Sequence, residues 1–146
     1  MSDLAEMQKM IVNSISTICR NDYSPEQIEV WTSSVENSQR WTHKLTSQHF
    51  LIAELENKIV GCASLENDDY LDFLYVHKDF QRIGIADKLY SEIEKEAVKR
   101  KAAVLNANVS ETAKGFFEKK GFKTIKPQKN LIKDVKIINY KMTKKI

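Results

Sequence analysis

Leu74-Tyr75-Val76-His77-Lys78-Asp79-Phe80-Gln81-Arg82-Ile83-Gly84-Ile85-Ala86 changes its hydrophobic period partway along. Tyr70 to Val76 is a run of strand formers, and from Ile85 onward Ala86, Leu89, Tyr90, Ile93 and Ala97 fall on one helical face. A strand, a short loop and a helix are expected in that order. Asp87 in the first turn and Lys99, Arg100 and Lys101 in the last match the helix dipole at both ends, which sets the helix at about 85–101. The start of such a helix presents unpaired N–H groups and positive partial charge, an anion site. Gly84 lets the backbone approach a ligand and the small Ala86 keeps bulk away, so amides from Arg82 to Ala86 can cradle a pyrophosphate, with Arg82 adding charge at the rim. The spacing is neither the Gly-Lys-Ser/Thr phosphate loop nor the three-glycine dinucleotide fingerprint.

Working outward, Val104 to Val109 reads as a strand. Ser110 is a candidate N-cap for a helix over Ala113 to Lys120, with Gly121 at C′ and Phe122 placed for the closing hydrophobic contact. Two last strands, near 122–128 and 135–143, form a lysine-studded hairpin. Upstream, Phe50 to Leu55 and Ile59 to Leu65 make a β-hairpin turned at Glu56-Asn57-Lys58, and Glu66-Asn67-Asp68-Asp69 turns the chain into the strand at 70–76. Three helices are expected before the hairpin. The first spans about 4–20, with Asp3 and Glu6 as a capping signature and Leu4, Met7, Ile11, Ile15 and Ile18 on one face. The second starts at Ser24-Pro25-Glu26-Gln27, and a short third carries Trp41 and Leu45.

The chain has 146 residues, 42% hydrophobic and 29% charged, with four Gly and two Pro, which excludes collagenous, low-complexity and fully disordered classes and sets the expectation of one domain over 1–146. No apolar run reaches the length of a membrane span, and the amino terminus lacks a signal-peptide pattern, so a cytoplasmic location is expected. Cys19 and Cys62 lie far apart with no metal-ligand spacing around them; two buried free thiols are expected, and no metal. The net charge of +3 hides an asymmetry. Residues 1–94 carry 8 basic against 16 acidic side chains, and residues 95–146 carry 15 against 4. A basic half can attract phosphates, but fourteen of its cations are Lys and only Arg100 is Arg, with no aromatic-interleaved RNA motif and no helix-turn-helix. Nucleic-acid binding is therefore not expected.

Together, the segment 74–86 and Ala113-Lys114-Gly115-Phe116-Phe117-Glu118-Lys119-Lys120-Gly121-Phe122, separated by a helix and a strand, resemble the GNAT acyl-CoA-dependent N-acetyltransferase superfamily over about residues 48–143. The resemblance implies an α+β fold: a mixed, mostly antiparallel sheet splayed between the strands near 70–76 and 104–109, its single parallel pair. It implies that Gln81, Arg82, Ile83, Gly84, Ile85 and Ala86 form the loop that binds the pyrophosphate of coenzyme A. The pantetheine arm would run along Leu74, Tyr75 and Val76, pairing with the backbone at positions matching Leu74 and Val76. The implied activity is transfer of an acetyl group from acetyl-CoA to a primary amine by direct attack in a ternary complex, an amide near Leu74 stabilising the oxyanion. The acceptor would be a small molecule or a peptide, there would be no membrane partner, and a homodimer is compatible.

Three departures qualify what the resemblance implies. The family's thiolate-protonating Tyr matches Phe117, which would line the cofactor site without supplying a proton; water or another phenol, Tyr75 or Tyr140, would take that role. Ser110 stands where an Asn contacting the cofactor is usual. The family's first strand has no room before a helix beginning at Asp3, so either the sheet is one strand short or a segment has been lost. For the general base, strand alternation puts Tyr70, Asp72 and Leu74 on one face, and Asp72 can relay a proton from the amine through water. His77, at the strand exit, is a weaker candidate, and His43 and His49 read as surface or packing residues. The missing hydroxyl at Phe117 also favours an alternative: a catalytically weak acyl-CoA-binding or regulatory module.

Overall fold

The computed structural model describes residues 2–35 and 38–146, leaving the side chains of Ser2, Asp3 and Ser38 outside the description. Three helices come first: α1 (Ser2–Ile18), α2 (Pro25–Val35) and α3 (Ser38–Ser47). The α2 start is the reciprocal cap read from the sequence, with Ser24 Oγ accepting from Gln27 N–H at 3.1 Å and Gln27 Oε1 accepting from Ser24 N–H at 2.8 Å. The Asp3 cap lies outside the described residues. Its expected partner, Glu6, is used differently: its carboxylate accepts the Ile59 N–H at 2.7 Å, pinning α1 to the sheet.

The sheet has six strands in the order β1-β2-β3-β4-β6-β5: β1 (His49–Leu55), β2 (Lys58–Glu66), β3 (Tyr70–Val76), β4 (Val104–Ser110), β5 (Lys123–Ile132) and β6 (Val135–Lys145). Every neighbouring pair is antiparallel except β3 and β4. Among the described residues no strand precedes α1. Both hairpins close with two-residue turns in which each residue has positive φ, Glu56-Asn57 (51° and 61°) and Lys133-Asp134 (50° and 66°). That twist suits a tight hairpin, so the first turn is one residue shorter than its sequence suggested.

Between β3 and β4 lie a single 3₁₀ turn (Lys78–Phe80) and α4 (Ile85–Lys99), and after β4 comes α5 (Lys114–Lys119). The end of α5 is as read: Gly121, at φ 98°, donates to Glu118 O (3.0 Å), and Phe122 N–H donates to Phe117 O (3.1 Å). This is a Schellman closure, and the Phe117 and Phe122 rings meet at 5.1 Å. The start of α5 is not as read. Ser110 ends β4, and its hydroxyl and carbonyl both receive Ala113 N–H in a turn that precedes the helix.

The two faces of the sheet carry separate cores. On one, Met7, Ile11, Ile15 and Trp41 pack on Cys62 and Phe73; on the other, Leu89, Tyr90, Ile93 and Phe117 pack on Leu65, Leu71 and Leu105. Cys19 and Cys62 are both buried free thiols, and burial lifts the Cys62 thiol to about 12. No helix among the described residues is long and apolar enough to cross a membrane.

Candidate active site

The parallel pair is brief. Tyr70 sits opposite Asn106 and Leu71 opposite Ala107, with Asn106 N–H donating to Asp69 O at 2.7 Å, and beyond these residues the two strands part. A β-bulge in β3 accompanies the parting. Ser64 faces Phe73 but Leu65 faces Leu71, so Asp72 is an extra residue with no partner on β2. His77 N–H donates to Val60 O (2.7 Å), and counting back in alternate pairs makes Tyr75 and Phe73 the residues bonded to β2. The backbone groups of Leu74 and Val76 therefore face away from β2 into the opened gap. The Val76 carbonyl already accepts from Ser14 Oγ at 2.9 Å and Gln81 Nε2 at 2.8 Å, which leaves its N–H.

A cavity of about 940 Å³ occupies the gap. Asp72, Leu74, Tyr75, Val76, Gln81 and Ala86 line it from the β3–α4 side, and Ser110 and Phe117 from the β4–α5 side. Of the sequence-predicted residues, Arg82, Ile83 and Gly84, on the loop that enters α4, and Ile85, its first residue, are not in the lining. Ile85 packs against Gly61, where a methyl group would meet Ile85 Cγ2 at 3.1 Å, so its side chain is structural. Gln81 turns its amide back onto Val76 O and His77 O, stapling the loop rather than projecting outward. His77 does likewise, its Nδ1 accepting from Asp79 N–H at 3.0 Å.

Gly84 has φ 92° and precedes α4 directly. A Cβ there would meet nothing within 4 Å, so the space above this backbone is open. The first helical bond is Lys88 N–H to Gly84 O at 3.1 Å, and the N–H groups of Ile85, Ala86 and Asp87 precede it without intrahelical acceptors. Open space over exposed amides at the positive end of a 15-residue helix suits a pyrophosphate. Lys120, at the end of α5, pairs with Asp87 and ties the two helices together at this point.

One expectation from alternation is corrected by the bulge. Asp72 does not share a face with Leu74: it turns to α3, where its Oδ2 accepts from Lys44 Nζ and Gln48 Nε2, both at 2.8 Å, while Leu74 packs against the α4 core. Asp72 and Lys44 are both largely buried, with side chains 12% and 16% exposed. Of the two phenols offered as replacements for the missing acid, Tyr75 lines the cavity and Tyr140 does not. Burial, above all, raises the Tyr75 pKa well beyond its ordinary value, so the phenol keeps its proton.

Sequence reasoning missed Tyr23. Its hydroxyl donates to Ile138 O and accepts from Glu111 N–H, each at 2.8 Å, while Thr112 Oγ1 donates to Asp22 Oδ2 at 2.8 Å. The α1–α2 connection thus straps the β4–α5 turn across the gap. Also missed was an amide chain on the gap floor: Asn108 Nδ2 donates to Tyr70 OH, and Gln128 Nε2 donates to Asn108 Oδ1 and Asn139 Oδ1, all at 3.0 Å. Partners 88 to 115 residues from Tyr23 leave no local spacing signal. The alternating polar residues of 106–110 and 139–143 were the only hint of the floor.

Residues 19–144 match the acetyltransferase (GNAT) domain family. A curated Escherichia coli (strain K12) protein, described as the uncharacterized N-acetyltransferase YafP, is 30% identical over 127 residues, covering 87% of this chain and 79% of that protein. Among solved structures, a GCN5-related N-acetyltransferase from Rhodopseudomonas palustris superposes with a TM-score of 0.95 at 34% identity, covering 99% of this chain and 91% of that one. The PaiA N-acetyltransferase from Thermoplasma acidophilum, solved in complex with coenzyme A, shares the fold at a TM-score of 0.81 and 21% identity, covering 99% and 94%.

Proposed function

The chain belongs to the GNAT acetyltransferase family, and from that premise we propose that it transfers the acetyl group of acetyl-CoA to a primary amine by direct attack in a ternary complex. The observation that carries this reading is the gap where β3 and β4 part, filled by a cavity whose lining reaches Gln81 and Ala86 on either side of the loop that enters α4. The pyrophosphate lies against the N–H groups of Arg82 to Ala86, with the Arg82 side chain at the rim. The pantetheine arm follows the free edge of β3, pairing at Leu74 and with the Val76 N–H. Ser110 and Phe117 close the other wall.

The thioester brings an activated acyl carbon to the Leu74 N–H, which stabilises the negative charge that develops on its oxygen as the amine attacks. Holding amine and thioester together supplies much of the rate by proximity. Asp72 faces the acceptor side, anchored at Oδ2 by Lys44 and Gln48, and takes the amine proton through water. Phe117 excludes water at the sulfur and donates nothing, leaving the departing thiolate to Tyr75 or solvent.

A second reading rests on the same buried Phe117: an acyl-CoA binder that turns over weakly. Two measurements separate them. Coenzyme A at about a hundredfold excess over Kd is expected to raise Tm by roughly 5–10 °C, and acetyl-CoA with an amine panel is expected to release free thiol in an enzyme-dependent way. A Tm shift without thiol release on any amine would favour the binder; neither effect would remove both readings.

A further inference from the structure

The lining of the cavity divides between the two cores. Leu74, Ala107, Val109, Phe116 and Phe117 belong to the core on the face that carries α4 and α5, whereas Ile15, Trp31, Trp41, Tyr75 and Ile132 belong to the core under α1, α2 and α3. With the cofactor on the α4–α5 side, the second compartment is the one left to the acceptor. Its wall is mostly hydrocarbon. Trp31, Tyr75 and Ile132 pack on that core yet stay only partly buried, so apolar surface faces the cavity instead of being sealed by neighbours.

The polar side chains of this compartment are mostly spent on the protein itself. Ser14 Oγ donates to Val76 O at 2.9 Å, Ser34 Oγ to Trp31 O at 2.6 Å, and Asn130 Nδ2 to Ile137 O at 3.2 Å. The Tyr23 hydroxyl holds Ile138 O, and the Trp31 indole N–H donates to the Tyr75 hydroxyl. Arg40 is engaged within the protein as well. Lys129 alternates with Gln128 and Asn130 along β5, so its side chain takes the other face of the sheet. One carboxylate keeps capacity: Asp72 accepts from Lys44 and Gln48, both at Oδ2, and a carboxylate can accept about four hydrogen bonds.

We infer that the acceptor is an aralkylamine, its single ammonium directed to Asp72 and its aromatic body held against Trp31, Tyr75 and Ile132. An aromatic ring gains from this wall twice, by removing its own apolar surface from water and by edge or offset contact with the neighbouring rings. The wall is itself built from such contacts: the Tyr23 and Trp31 rings meet in a T-shape with centroids 5.4 Å apart, and Phe73 and Tyr75 lie at 6.3 Å. A second charge on the acceptor, of either sign, would be stripped of water against hydrocarbon with its polar neighbours already paired. Diamines and amino acids are therefore disfavoured, and a short alkylamine leaves the wall unfilled. The inference rests on the transfer reading for the identity of the reacting amine, but selection of the apolar body is a binding property that stands apart from turnover.

The test is calorimetric titration of the CoA-loaded protein with phenylethylamine, ethylamine, putrescine and phenylalanine, which share an amine and differ in body and charge. Phenylethylamine is expected to bind at least about tenfold more tightly than each of the other three. Trp31→Ala is expected to erase its advantage over ethylamine while CoA affinity stays within about twofold. Because Trp31 also packs on Tyr23, Ile132→Gln serves as a second variant that leaves that contact alone, and it is expected to weaken phenylethylamine at least about threefold. Ile125→Gln, on the same strand but exposed and outside the cavity, is expected to leave the ratios intact. Ethylamine or putrescine binding as tightly as phenylethylamine overturns the inference, and so does tighter binding of phenylalanine. Loss of the ratios in Ile125→Gln overturns it as well, by assigning the effect to adsorption outside the cavity. Selective binding without thiol release from any amine upholds the apolar selection and removes the transferase reading, whereas thiol release from all four with equal affinities keeps the transferase reading and removes the selection.

Discussion

Phe117 is 4% exposed, locked between Phe116 and Phe122, and still part of the cavity wall. Its position was legible because the Gly121-Phe122 ending fixes the helix register; what the ring contributes follows from its lack of a hydroxyl. Phe117→Tyr adds one donor at little change in volume and is expected to raise kcat with CoA affinity unchanged, read by steady-state kinetics beside a CoA titration. An unchanged kcat would mean that thiolate protonation does not limit turnover. The face that Asp72 takes was not legible, because a bulge that shifts alternation leaves no trace in Tyr-Leu-Asp-Phe-Leu. Asp72→Asn keeps the shape and removes the charge, and is expected to lower kcat/KM on the order of 10²-fold without weakening CoA binding. A loss of CoA affinity instead would place Asp72 on the cofactor side.

At the scale of elements, the strand–loop–helix unit and both hairpins follow from period and turn chemistry, whereas the strap over the gap depends on residues that meet only after folding. Tyr23→Phe deprives Glu111 N–H and Ile138 O of their shared partner. It is expected to cost about 1–3 kcal/mol in urea unfolding; no loss would show that the strap is dispensable. On the other face of the sheet a second tie joins α4 to β6, Lys144 Nζ to Glu94 at 2.6 Å. Burial pushes the Glu94 carboxyl upward, but its hydrogen bonds from Lys144 and Tyr90 outweigh this and hold it below the usual range. A depressed carboxylate stabilises the fold above its unfolded pKa, and the contribution is lost as pH falls through the folded value. Glu94→Gln is therefore expected to be less stable than the parent by about 0.5–1 kcal/mol at pH 7. The gap should close below the ordinary glutamate range, and a pH-independent difference would assign the effect to packing.

For the molecule as a whole, the order of elements and the parallel β3–β4 pair were legible, since a helix between two strands forces a crossover and the glycine loop marks where it starts. The charge asymmetry was visible too, but the pairing of Lys144 with Glu94 and the place of Lys129 in the cavity lining emerge only in the folded sheet. The central claim is that the amides entering α4 hold the phosphates of acyl-CoA while the thioester reaches Leu74. It is tested most directly by titrating acetyl-CoA into the parent protein and Gly84→Val. Gly84 sits at φ 92° under open space, so a β-branched residue both strains the loop and fills the cradle. Acetyl-CoA affinity at least tenfold weaker in the variant is expected, with its circular dichroism unchanged; equal affinity in a folded variant would remove the phosphate cradle from the start of α4.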